Sequence, residues 1–248
     1  MRIAVPLKLV PDLVEDLEVD ASGTSLDYED LKVGLNEFDD HALEEALLIK
    51  ESSGAEVIVL AVDDGQVDKT LYTAVAKGAD KAVKITGADP RADNQILGAV
   101  FAGVIGQLGV DLVLTGVQSA ADRDGQLGPF MAAGLGWPSI SVVTEVKPSG
   151  TTATVTKEYS GGIMGEFEVD LPVVLGIQAA RQPPRYVPVS KVKQVEQSAA
   201  LETVPSTAAA QESWSKVVRM APPKKGAGAK MLSSAKEIAD ILKEKGVL

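Results

Sequence analysis

Four short, largely apolar runs constrain this chain more than any other feature: Ile3–Leu7, Glu56–Val62, Lys81–Ile85 and Val110–Leu114. Each reads as a strand buried on both faces, as in a parallel sheet. Helical spacing fills the intervals. Asn36-Glu37-Phe38-Asp39-Asp40 opens a helix with acids in its first turn, where the dipole favours them, and Phe38, Ala42, Leu43, Ala46, Leu47 and Ile49 follow near a 3.6-residue period. A second helix follows Asp63-Asp64-Gly65 and ends at about Lys77, with Gly78 as its C-cap, and a long apolar helix spans Asp93–Leu108. Strand and helix thus alternate four times, which predicts an α/β fold: a doubly wound, mostly parallel sheet with right-handed crossovers and helices on both faces. After Trp137-Pro138 the period changes to alternation, in Ser141–Val146, Thr152–Lys157 and Glu166–Val169. The turns Ser149-Gly150 and Ser160-Gly161-Gly162 separate these runs, so the sheet is expected to finish antiparallel. Pro172–Ile177 looks like one more central strand.

The loop after the fourth run, Gly116 to Pro129, carries the functional signal. A strand ends, a loop of small residues turns and a helix starts near Phe130, and at such junctions open α/β sheets take their ligands. Ser119, Ala120, Ala121, Gly125 and Gly128 leave little side-chain bulk over the backbone amides. Amides gathered before a helix N-terminus favour an anion such as phosphate. An ordinary helix cap by Asp122 or Asp124 explains the same residues equally well. The loop lacks the Gly-Lys-Ser/Thr of a Walker motif and contains no G-x-G-x-x-G.

Composition narrows the classes. The formal net charge of −11 over 248 residues argues against nucleic acid as a partner, because phosphate contacts need a basic face. No apolar run reaches the roughly 18 residues of a membrane span. Without cysteine there is no disulfide framework, thiolate metal site or thiol nucleophile, which fits a cytoplasmic or mitochondrial-matrix location. An acid-dense stretch from Asp12 to Asp30 includes the turn Ser22-Gly23-Thr24, so Leu17–Val19 and Ser25–Asp27 are expected as a hairpin excursion with a solvated acidic face. No metal site is expected there, since neither histidine nor ligand spacing is present. His41, the only histidine, reads as a surface residue.

Gln182-Pro183-Pro184-Arg185-Tyr186-Val187-Pro188 ends the compact domain, giving an expected nucleotide-binding unit of 1–189 and an arm of 190–248. The arm is polar and weakly periodic to about Gly228, with Trp214, Val217, Val218 and Met220 as apolar handles, and ends in an amphipathic helix over Ser233–Leu242. Such an arm is expected to lie on a partner.

Taken together, several of these segments resemble the β subunit of electron transfer flavoprotein. The resemblance rests on Lys8, Leu35-Asn36-Glu37-Phe38-Asp39-Asp40 with Leu43-Glu44-Glu45-Ala46, Ala76-Lys77-Gly78-Ala79-Asp80, Gly116-Val117-Gln118-Ser119, Leu135-Gly136-Trp137-Pro138, Gly161-Gly162 and Pro184-Arg185-Tyr186. Met220 and Pro223–Gly226 are similar to that family's C-terminal arm. The order and spacing of the segments are specific, and they cover nearly the whole chain.

The resemblance implies a Rossmann-type fold like that of the adenine-nucleotide α-hydrolases, a heterodimer with an α subunit holding the redox FAD, and an AMP bound structurally on this chain. By position, the AMP-contacting residues would be Pro6, Asn36, Val62, Ser119, Asp122, Gly125, Gln126, Leu127 and Gly128. Leu13 and Phe38 would approach the flavin, Phe38 fitting equally as core. Val189 would anchor flavin-dependent dehydrogenases, the C-terminal arm would pack on the α subunit, and electrons would leave to a quinone oxidoreductase or another acceptor. No catalytic residue is implied, because the cofactor carries the chemistry. Two departures stand out: Arg123 could pair with a phosphate or with Asp122 or Asp124, and Leu127 stands where the family often has threonine. Three alternatives stay open. A bifurcating relative would bind a second FAD in place of AMP, as Gly125-Gln126-Leu127-Gly128-Pro129 resembles that branch. The others are an adenine-nucleotide hydrolase or ligase and a stand-alone nucleotide-binding protein.

Overall fold

The computed structural model describes residues 1–122, 124–208, 213–224, 226 and 228–248. Its centre is a nine-stranded sheet in the order β11-β5-β4-β1-β6-β10-β7-β8-β9. These strands are β1 (Arg2–Leu7), β4 (Glu56–Val62), β5 (Lys81–Thr86), β6 (Leu112–Gly116), β7 (Ser139–Ser149), β8 (Thr152–Tyr159), β9 (Ile163–Asp170), β10 (Val173–Ile177) and β11 (Glu202–Pro205). A separate antiparallel pair joins β2 (Leu9–Pro11) to β3 (Val33–Leu35). Every pairing from β11 through to β7 is parallel, and the β7–β8 and β8–β9 pairings are antiparallel, so β8 alone runs against the rest of the sheet. The expected antiparallel finish is therefore present but starts one strand later, since β7 joins β10 in parallel. Pro172–Ile177 does supply a central strand, between β6 and β7.

Alternation along the strands feeds two apolar layers. Ile3, Val5 and Leu7 of β1 and Val57, Val59 and Ala61 of β4 face α1 (Glu37–Ser53) and α2 (Asp68–Lys77). Ala4, Ile58 and Leu60 face α3 (Asn94–Ile105) and α4 (Leu127–Leu135). This is the predicted doubly wound arrangement. Helix α1 ends on Gly54 in the left-handed region, and α4 ends likewise on Gly136. Helix α4 begins at Leu127, three residues before the expected start, because a proline such as Pro129 is tolerated in a first turn.

The chain divides into two compact units, Met1–Asp16 with Tyr28–Lys216, and Leu17–Asp27 with Val217–Leu248. Past Pro188 the larger unit gains α5 (Val189–Ser198), which packs on α2, and β11, which pairs with β5. In the smaller unit Val19 and Leu26 form an antiparallel bridge, and Met220 donates its amide to the Gly23 carbonyl at 2.7 Å. The unit's helix, α6 (Ala235–Glu244), is capped by the Ser234 side chain, while Glu237 reaches back to Ser233. It buries none of its residues within the chain.

The outer hairpin has two unlike faces. Ala153 and Val155 are buried at its base, but the same face continues outward as the exposed Tyr159, Ile163 and Phe167. The opposite face carries Glu158, Glu166, Glu168 and Asp170.

Candidate functional site

The winding of the sheet places a crevice. From β1 the chain steps outward through β4 to β5, then returns to the other side of β1 to form β6. The carboxyl ends of β1 and β6 therefore border the topological switch point, where helices diverge and a ligand can enter.

Asp39, in the first turn of α1, ties these two strand ends together. Its Oδ2 accepts the Lys8 amide at 2.8 Å and its Oδ1 the Gly116 amide at 3.0 Å. It is 2% exposed, so it does more than complement the helix dipole, the role expected of an acid in a first turn. Burial pushes its carboxyl up to about 7, against the opposing pull of the Lys8 and Gly116 amides, Asn36 and the Lys8 charge. Gly116 is required for this approach: a Cβ there would lie 2.3 Å from Asp39 Oδ1 and 2.8 Å from the Phe38 carbonyl carbon.

The loop after β6 is held at several points. Asn36, buried at the N-cap of α1, donates Nδ2 to the Gln118 carbonyl at 2.9 Å, so its amide positions the loop. Ser119, also buried, gives its amide (3.2 Å) and hydroxyl (2.8 Å) to Asp122. Lys8 reaches across from the end of β1 to pair with Asp122, and its Nζ lies 3.4 Å from Asn94 Oδ1. Asn94 in turn donates Nδ2 to Asp124. Burial would raise the Asp122 carboxyl, but the Lys8 ammonium and the Ser119 donors outweigh it and hold it below the usual carboxylate value. Neither aspartate caps α4. Gln126 is the N-cap and makes no side-chain cap bond, which leaves the first amides of α4 without a side-chain acceptor among the described residues. Asp124 instead accepts the Gln126 amide at 3.2 Å. Gly125 has φ 66°, and a Cβ on it would meet the Val117 carbonyl at 2.9 Å. Arg123 lies outside the described residues.

The remaining expected residues divide by location. Pro6 and Val62 are buried at the carboxyl ends of the adjacent strands β1 and β4. Leu127 and Gly128 are buried at the start of α4, where the Leu127 side chain joins the layer over α3 and only its backbone remains for a ligand. A cavity of about 570 Å³ opens beside the loop and brings Leu13 and Phe38 together with Asn36 and Ser119. Leu13 is 64% exposed on its rim, while Phe38 is half-buried. Pro6, Val62 and Gly125–Gly128 lie outside that cavity. Val189, 61% exposed, opens α5 at some remove in sequence. His41 is a half-buried acceptor rather than a surface group, taking the Ala180 amide on Nδ1 at 3.2 Å.

Two acids on α1 hold the segment after β10. Glu45, fully buried, accepts from Arg181 Nε at 2.9 Å, from the Arg181 amide at 3.2 Å and from the Val146 amide at 3.3 Å. Glu44 forms a forked pair with Arg185, which also reaches Glu51 at 2.7 Å. This explains physically why Glu44-Glu45 and Arg185 occur together in the chain. Among the described residues no group of three or more acidic, histidine or cysteine side chains could hold a metal ion, and no helix is long and apolar enough to cross a membrane. Among the described residues at the crevice, Asp39, Asp122 and Asp124 are taken up in structural bonds.

Fold and crevice define a doubly wound α/β protein with a crevice at its switch point, where proteins of this class take ligands. Comparison with known proteins makes this specific. The sequence profile of the electron transfer flavoprotein domain matches residues 26–209. The chain is 36% identical over 238 residues to an electron transfer flavoprotein subunit beta of Methylophilus methylotrophus, covering 91% of this chain and 90% of the other. It is 32% identical over 250 residues to the mitochondrial subunit beta of Oryza sativa subsp. japonica, covering 98% of each. A subunit beta of Bradyrhizobium diazoefficiens matches end to end at 26%. The chain belongs to the electron transfer flavoprotein β-subunit family, whose members are electron-carrier subunits rather than enzymes in the ordinary sense.

Proposed function

We propose that this chain is the β half of a heterodimeric electron carrier, that it binds AMP structurally at the β1/β6 crevice, and that it completes the surroundings of an FAD held by the α subunit. The observation that carries the reading is the loop from Val117 to Gln126. It is pinned by Asn36 and Lys8, follows Gly116, which Asp39 holds at the switch point, and runs into a first turn of α4 without a side-chain cap. The donor set fits a mononucleotide. The backbone amides of Leu127 and Gly128 suit a phosphate, Gly125 keeps its approach clear of side-chain bulk, and buried Pro6 and Val62 give apolar contact for a base. The chemistry of electron transfer belongs to the flavin. This chain's residues bind, position and exclude water. Leu13 and Phe38, on the neighbouring cavity, supply apolar contact toward the partner's cofactor. Val189 gives flavin-dependent dehydrogenases an aliphatic anchor, and α6 with the residues before it packs on the α subunit. Electrons then pass to a quinone oxidoreductase or other acceptor.

Denaturing the purified heterodimer and counting its cofactors tests this directly. One FAD and one AMP per pair is the expected result. Two flavins and no AMP would place a second FAD in the crevice instead.

A further inference from the structure

A phosphate-binding loop that carries two carboxylates, Asp122 and Asp124, has an electrostatic difficulty. Among the described residues the only cation bonded to this loop is Lys8. Its side chain is 10% exposed, and three contacts fix it in place. Its amide donates to Asp39, its carbonyl accepts the Asn36 amide at 2.9 Å, and its ammonium sits between Asp122 and Asn94. The ammonium is therefore held on the Asp122 carboxylate and is not free to swing toward solvent.

We propose that Lys8 is a positioning residue for a phosphate-bearing nucleotide: by neutralising Asp122 it lets the loop's amides take an anion that the bare carboxylate would repel. This deepens the reading of the crevice as an AMP site and rests on it. The pairing explains why Asp122 accepts the Ser119 amide and hydroxyl as well as Lys8. Its oxygens are engaged by Lys8 and Ser119, so Asp122 shapes the loop. Like charges a few ångströms apart in a partly buried site weaken binding by about ten- to a hundredfold, and that is the effect Lys8 removes.

The test uses the heterodimer co-produced with its α subunit and depleted of nucleotide, titrated calorimetrically with AMP and with adenosine. Lys8→Met is expected to weaken AMP by about tenfold or more and adenosine by less than about threefold. Lys8→Arg should keep AMP binding. Lys8→Met/Asp122→Asn, which removes both charges, should return AMP affinity to within about threefold of the parent. Equal losses for AMP and adenosine in Lys8→Met would overturn the proposal, since a purely structural lysine does not distinguish them. A double variant as weak as Lys8→Met would also overturn it, because Lys8 would then act on the phosphate and not through Asp122. If Lys8→Met does not assemble, the double variant, which buries no lone charge, decides in the same way. If the parent binds neither AMP nor adenosine, the AMP reading fails first and takes this inference with it.

Discussion

Glu44 on α1 and Arg185 beyond β10 meet in a forked ion pair. Three side-chain bonds run between them at 2.7, 2.9 and 3.0 Å, and the Arg185 amide adds a fourth at 2.9 Å. Only a guanidinium presents two donors in the plane this geometry needs. Arg185→Lys should therefore lower unfolding stability by about 1–3 kcal/mol, measured by denaturant titration. Burial would raise the Glu44 carboxyl, but the Arg185 bonds and charge outweigh it and leave it below its ordinary value. A depressed folded value means the contribution is intact above pH 4.5 and lost as pH falls through the folded value, so the parent's acid midpoint should lie below that of Arg185→Lys.

Asp39 gives the opposite sign. Its folded carboxyl titrates near 7 and its unfolded one near 3.8, so between these values the native state holds a proton that the unfolded state does not. Its contribution is complete below the lower value and declines as pH rises through the upper one, at up to about 1.4 kcal/mol per pH unit. Asp39→Asn should abolish that slope. It should also cost roughly 2–3 kcal/mol at pH 6, because one of the two strand-end amides then faces an NH2 group. Unfolding curves at pH 5.5, 7 and 8.5 measure both effects.

Gly116→Ala has no compliant neighbour. The new methyl would press on the Phe38 backbone and on a carboxylate already bonded on both oxygens. A loss of about 3 kcal/mol or more is expected, read as a large drop in melting temperature together with loss of bound nucleotide.

Gly125→Ala should separate site from scaffold. The residue has a positive φ and lies in a loop, so global stability should fall by only about 1–2 kcal/mol. Nucleotide content per heterodimer should drop more steeply, because the loop must shift away from the Val117 carbonyl.

Val189→Asp tests the proposed docking point. At 61% exposure the substitution should change stability by less than about 0.5 kcal/mol. The rate of flavin reduction by a partner dehydrogenase should fall by about tenfold, at unchanged cofactor content.

The parallel framework was legible because β1, β4, β6 and β10 are apolar on both faces, a signal that does not depend on distant partners. Elements that borrow their partners were harder to read. Glu202–Pro205 is short and largely exposed, and it is a strand only because the edge of β5 offers it hydrogen bonds. The first half of β9, Ile163-Met164-Gly165, follows two glycines and shows no alternation of its own; β8 sets its register. At the crevice, the small-residue loop and its following helix could be read directly from Gly116 to Pro129. The clasp could not. Asp39 looked like one more acid in a first turn, Lys8 carried only resemblance, and Asn94 gave no signal, because each acts through a residue 30 or more positions away. His41 misled for the same reason, since its partner is the amide of Ala180.

The outer hairpin has a practical consequence for anyone producing the subunit without its partner. Among the described residues strand β9 pairs with β8 alone and leaves one row of backbone donors and acceptors open, with Ile163 and Phe167 on one side and Glu166, Glu168 and Asp170 on the other. Mutual repulsion between those acids keeps two such borders from zipping together at neutral pH. Buffers acidic enough to discharge them will turn this rim into a template for clumping, and added salt will act in the same direction by shortening the reach of their charge.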